Sequence, residues 1–203
     1  MGERNIIITI GREYGSGGHE IGEKLAKKLG INFYDNKLVE LASARSGLDA
    51  NAVAHTDEKA PGLFVSGYTP TLSDQLFYAQ SDFIRSRVIN KESFVIVGRC
   101  SNSVLYGYAD SLDVFIYAPL HKRIQRVMDF PEYHVGLDKE ITADMARKEI
   151  KRHDKARLTY YQYYSEFRWG RKEGYDILID SSLLGIDGTV DMLAEIAEKQ
   201  FGS

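Results

Sequence analysis

The sequence predicts an α/β domain: a five-stranded, mainly parallel sheet with helices on both faces. Three observations predict it. Five short hydrophobic runs alternate with segments of helical periodicity, which implies βαβ units. The first run is apolar on both faces, as a strand covered from two sides must be. A glycine-rich segment then joins that run to a helix.

The elements follow in order. Asn5 to Ile10 reads NIIITI, the first strand. Beyond the glycines, Ile21, Leu25, Ala26 and Leu29 recur at helical spacing and Gly30 supplies the stop. Asn32 to Tyr34 predicts a short second strand, and Lys37 to Arg45 a helix with Leu38, Leu41 and Ala42 on one side. Asn51 to Thr71 carries Pro61, Gly62, Gly67 and Pro70 without a steady period, and reads as an excursion from the main sheet. Leu72 to Asn90 predicts a helix, capped by Ser73, that buries Leu76, Phe77, Phe83, Ile84 and Val88. Ser93 to Val97 and Leu112 to Tyr117 predict strands three and four. Pro119 opens a helix through Met128. Tyr175 to Ile179 predicts the fifth strand, and a last helix runs from about Asp187 to Gln200.

The 203 residues are expected to form one domain, 1–203. With 26 Lys plus Arg against 29 Asp plus Glu, the net charge is −3 and the pI near 6.0, which argues against a nucleic-acid partner. Nothing approaches 18 consecutive apolar residues, so no membrane span is expected, and the charged start predicts no secretory signal. The single Cys100 excludes a disulfide framework and fits a cytoplasmic location. His19, His55, His121, His134 and His153 lack paired spacing, so no metal ligands are expected.

Gly11 to Gly22 reads GREYGSGGHEIG, with glycines at 11, 15, 17, 18 and 22. Placed between strand and helix, its backbone N–H groups and the positive helix end can cradle a di- or triphosphate. It departs from the Walker A loop, because Gly17 is followed by Gly18, His19 and Glu20 rather than by Lys and Ser or Thr. It also misses the dinucleotide fingerprint, since position 20 is Glu and Asp35 lies at a helix entrance. That excludes a nicotinamide-dependent oxidoreductase. Tyr160, Tyr161, Tyr163, Tyr164, Phe167 and Trp169 form an aromatic band; the helical spacing of Tyr160, Tyr164 and Phe167 reads as core packing rather than base stacking.

GREYGSGGHEIGEKLAKKLGINFYD, VIVGRCSNSVL, RHDKARLTYYQYY and YDILIDSSLLGID together resemble the bacterial cytidylate kinase-like family, relatives of the nucleoside monophosphate kinases, over nearly the whole chain. The resemblance implies a P-loop NTPase-like three-layer fold, with a monophosphate-binding excursion at about 36–71 and a lid at about 130–155. It implies transfer of the γ-phosphoryl group of ATP, with Mg²⁺, to a nucleoside monophosphate resembling CMP or a related small acceptor. By the same resemblance Gly15, Ser16, Gly17 and Gly18 cradle the donor phosphates with His19 beside them, and Asp35 and Arg99 serve the acceptor; Arg12 is the nearest long cationic side chain by sequence to replace the loop lysine. Gly98 and Arg99 match the family's Asp-Gly-Arg-Asp motif; Val97 and Cys100 do not. Arg152, Asp154 and Arg157 fit part of its Arg-Asp-x-x-Arg lid signature and are implied catalytic residues; Asp154 and Arg157 stand in direct register, while His153 takes the first arginine's place and Arg152 stands in for it. Arg123 and Arg126 open a helix near the donor site of monophosphate kinases, and read equally as a solvated face. Because the loop lysine, the hydroxyl after it and the strand-three aspartate are absent, a nucleotide sensor or interaction protein with the same fold is the alternative. The sequence leaves the acceptor and the oligomeric state open.

Overall fold

The computed structural model describes residues 5–35, 71–98, 100–130 and 141–202. Its centre is β1 (Ile7–Arg12), flanked by β3 (Phe94–Val97) and β4 (Leu112–Tyr117), with β2 (Asn32–Tyr34) and β5 (Ile177–Asp180) at the edges. All four strand pairings are parallel. Ile8 stands opposite Val95 and Leu112, and Ile10 opposite Val97 and Val114. These residues are buried on one face beneath α1 (Gly18–Leu29) and α6 (Ser181–Phe201), with Leu25, Ala26, Leu193 and Ala197. Ile7, Phe94 and Ile96 point to the other face, where Phe83 and Ile84 of α2 (Leu72–Ile89) and Val104 and Leu105 of α3 (Ser101–Leu105) cover them. A central strand thus serves two cores, which is why its sequence has no polar side.

α4 (Leu120–Asp129) and α5 (Ala143–Tyr164) share a smaller core of Ile124, Val127, Ile141, Ala146 and Ile150. The aromatic band packs as expected for much of its length. Tyr160 and Tyr161 are buried with Phe115 and Tyr175, Phe77 stacks on Tyr164 at 4.0 Å, and Tyr163 is exposed. Among the described residues, no helix is long and apolar enough to cross a membrane.

Several boundaries move. β1 runs on to Arg12, placing that side chain at the carboxyl end of the sheet, and β5 spans Ile177–Asp180. The cap of α2 is Thr71 rather than Ser73: its hydroxyl accepts from the Asp74 N–H at 3.2 Å, and the Asp74 carboxylate accepts from the Thr71 N–H at 2.9 Å. Pro119 precedes α4 as its cap. α6 begins at Ser181, directly after β5, and is broken by Gly185 at φ 69° and ψ −177°. α3 was not expected; five residues carry too little periodicity to announce it. The expected helix at 37–45, the excursion at 51–70 and residues 131–140 of the lid lie outside the described residues.

Gly22 sets how closely α1 approaches the sheet. A Cβ there would lie 2.6 Å from Val97 Cγ2, 3.1 Å from Phe33 and 3.3 Å from Ile10. Gly22→Ala is expected to cost about 1–3 kcal/mol through overpacking, read from urea unfolding. An unchanged midpoint would show that this contact can relax.

Candidate functional site

The loop from Glu13 to Gly17 turns at the carboxyl end of β1 and runs into α1, at the end of a parallel sheet where ligands are generally bound. Gly15 and Gly17 take positive φ, 77° and 81°, a region costly for residues with a Cβ. Gly17 caps α1 without a side-chain bond, so the helix presents its first N–H groups bare of side-chain acceptors. At Gly18 a Cβ would meet Arg12 Cβ at 2.6 Å. Ser16 is buried and does not line the resulting cleft; its hydroxyl donates to Glu13 O at 2.9 Å and its carbonyl accepts from the Ser181 hydroxyl at 2.7 Å. Its role is to hold the loop on β4 and α6, the hydroxyl also reaching Ile116 O at 3.1 Å.

The cleft has a volume of about 280 Å³ and brings together Gly15, Gly17, Gly18, His19, Arg12 and Asp35, six of the residues expected here. It also contains Arg126, of the pair expected near the donor or on a solvated face, and three residues that sequence reasoning did not place: Glu13, Tyr14 and Glu20. His19 Nδ1 is hydrogen-bonded to Asp35 Oδ2, and the Arg12 guanidinium lies 3.9 Å from Asp35 Oδ1. The bond to Asp35 raises the His19 pKa above its ordinary value, against the opposing effects of burial and Arg12. Arg126 pairs with Glu20 across the loop and covers the Phe130 ring at 4.4 Å. Partial burial works against the Glu20 charge, but hydrogen bonds from Lys24 and Arg126 together hold its carboxyl below the usual range. Burial pushes the Glu13 carboxyl up, with Arg123 opposing. The signal for Arg126 is its place on the helix after the fourth strand, whereas nothing local distinguishes Glu13 or Glu20 from solvated carboxylates.

α5 is tied to the loop by Asp154, whose carboxylate accepts from the Tyr14 N–H at 2.8 Å and from Arg123 Nη1 at 2.6 Å. His153 stacks on Tyr14 at 4.0 Å. Arg157, one turn further, donates to Arg12 O at 3.4 Å and lies 5.6 Å from the Tyr14 ring centre. It lines both the cleft and a narrow recess of about 20 Å³ bounded by Gly98, Cys100, Tyr160 and Trp169, so it stands between two cavities. Arg152 does not line the cleft: its side chain is 64% exposed, bonds to Glu149 on its own helix at 2.6 Å and lies 2.9 Å from His153 Nε2. Arg99 lies outside the described residues.

The profile of the cytidylate kinase-like family matches residues 7–183. An uncharacterized protein from Eubacterium ventriosum superposes with a TM-score of 0.74 at 29% identity, over 96% of this chain and 99% of that one. Shikimate kinase from Bacteroides thetaiotaomicron superposes at 0.59 and 14% identity, over 95% and 98% of the two chains, a likeness of fold alone. A curated uronate isomerase from Corynebacterium glutamicum is 28% identical over 107 residues; these are 53% of this chain but 19% of that protein. The chain thus spans about a fifth of the curated relative it matches.

Proposed function

The chain belongs to the cytidylate kinase-like family, and from that premise we propose that it transfers the γ-phosphoryl group of ATP to a small acceptor, of which a nucleoside monophosphate is the type the family name suggests. The observation that carries this reading is the loop itself, in which the close approaches at Gly15 and Gly18 leave no room for side chains beside a helix end. Gly15, Gly17 and Gly18 bind donor phosphate through backbone N–H groups. Arg126 and Arg12 provide positive charge near the position where a loop lysine is absent, Glu20 keeping the first in place. Arg157 acts on the transferring group from the wall of the cleft. Asp154 positions the lid helix against Tyr14 rather than touching substrate. Mg²⁺ enters with the nucleotide and neutralises part of the phosphate charge. ATP chemistry and the lone buried cysteine fit a cytoplasmic setting.

ATP at about 100 times its dissociation constant is expected to stabilise the protein by about 2.7 kcal/mol, a rise of about 5–10 °C in midpoint for a chain of this size. In Gly18→Val the shift should vanish; because its Cβ meets Arg12 Cβ at 2.6 Å the nucleotide-free midpoint falls too, so the shift is read against the variant's own nucleotide-free midpoint. Absence of any shift in protein freed of carried-over nucleotide would sink the donor reading. Tight binding without turnover on any acceptor would make the protein a nucleotide sensor instead.

A further inference from the structure

We propose that the acceptor is an alcohol, and that His19, oriented by Asp35, takes the hydroxyl proton as the phosphoryl group is transferred. This rests on the phosphotransfer reading and names the chemistry of its second substrate.

The charge in the cleft favours an uncharged acceptor. Among the described lining residues, three arginines (Arg12, Arg126, Arg157) face three carboxylates (Glu13, Glu20, Asp35). A phosphate monoester would add about two negative charges near neutral pH to a cavity that must already hold the donor phosphates. An alcohol adds none.

A phosphate acceptor also has no need of a base, whereas an alcohol must lose a proton. The cleft contains a pair built for that. The Asp35 side chain is 7% exposed and the His19 side chain 55%, so a buried carboxylate holds a ring that opens on the cavity. With Nδ1–H donating to the carboxylate, the neutral imidazole keeps its lone pair on Nε2. The Phe33 ring meets the imidazole edge-on at 5.5 Å and limits its rotation. Asp35 therefore acts as a positioning residue and His19 as the base, a division of roles familiar from triads. In the step, the alcohol oxygen bonds to the γ-phosphorus and the bond to the β,γ-bridging oxygen breaks. Its electron pair leaves with ADP, and the alcohol proton passes to His19 Nε2.

His19 must be neutral to act. The charged groups facing it are Asp35 after β2, Arg12 of β1 and Glu23 of its own helix; Asp35 and Glu23 favour the cation and Arg12 opposes it. Turnover should therefore fall as pH drops through a value above the ordinary histidine pKa.

The test incubates the full chain with Mg-ATP and either alcohols (ribose, gluconate, myo-inositol, glycerol, homoserine) or monophosphates (CMP, UMP, AMP, GMP), with ³¹P NMR separating phosphate esters from anhydrides. Slow ATP hydrolysis, with water as the O–H acceptor, is followed in parallel. Ester formation is expected, with kcat about 100-fold lower in His19→Gln, little change in ATP affinity, and loss of the acid limb of the pH profile. Asp35→Asn should move that limb to lower pH, which a merely structural role would not do. If no acceptor in the panel reacts, an ATPase that loses rate and acid limb in His19→Gln supports the base. An ATPase indifferent to that change overturns it. Anhydride product overturns the alcohol acceptor and leaves phosphotransfer standing, whereas loss of ATP binding in the wild type overturns phosphotransfer itself. His19→Asn repeats each comparison should the Gln variant fold poorly.

Discussion

Arg157→Ala is expected to lower kcat by about 100-fold or more while ATP affinity changes far less. The side chain lines the cleft beside the loop glycines, where a guanidinium meets the charge that develops on the transferring phosphoryl group. Arg157→Lys should recover little, because an ammonium cannot meet two oxygens in one plane as a guanidinium does. Two controls frame the result. Arg171→Ala, in an exposed turn, should leave turnover nearly unchanged, and Arg152→Ala should change it only a few-fold, since that guanidinium is engaged by Glu149 in solvent. Steady-state kinetics on any reacting pair decide it. Wild-type turnover in Arg157→Ala removes the residue from the site, and an equal loss in Arg152→Ala means that α5 turns during the cycle.

Asp154→Ala should be the most destabilising of the site substitutions, by about 2–4 kcal/mol, or about 4–16 °C in midpoint. Its carboxylate satisfies the Tyr14 N–H and pairs with Arg123, whose side chain is 10% exposed; truncation leaves that guanidinium largely buried with Glu13 and the Ala118 and Tyr14 carbonyls as partners. Asp154→Asn keeps an acceptor for Tyr14 and should lose about half as much. Turnover of Asp154→Asn below its midpoint should fall by less than about tenfold, because the carboxylate faces the loop backbone and not the cleft. A double-mutant cycle with Arg123→Met measures the pair directly. Additive losses would show that the two side chains are energetically independent.

Arg152 and Arg157 show where local sequence is a good guide and where it stops. Arg152, Asp154 and Arg157 lie within six positions of a single charged helix, and nothing in their spacing separates a solvated arginine from one that borders two cavities. A residue at 152 meets Glu149 one turn back; a residue at 157 meets Arg12, which is 145 positions away. Likewise His19 and Asp35 were both singled out, yet their contact depends on β2 ending beside the first turn of α1. Arg126 and Glu20 are 106 positions apart and form their pair only because α4 crosses in front of the loop.

The sequence by itself determined the alternation of strands and helices, the parallel sheet, and the glycine turn after β1. Those features rest on periodicity, on β-branched runs and on backbone freedom, which are properties of neighbouring residues. The same locality placed the strands within about two residues and missed α3, whose cap Cys100 takes a positive φ of 52° that no neighbour signals. Only the tertiary structure decided which charges share the cleft and which are spent elsewhere. Partner, burial and field are long-range quantities: Arg123 is buried by α5 and the loop, Ser16 is consumed by β4 and Ser181, and Asp35 is enclosed by Arg12 and His19. A side chain's chemistry is set by what packs around it, and packing joins segments that sequence keeps apart.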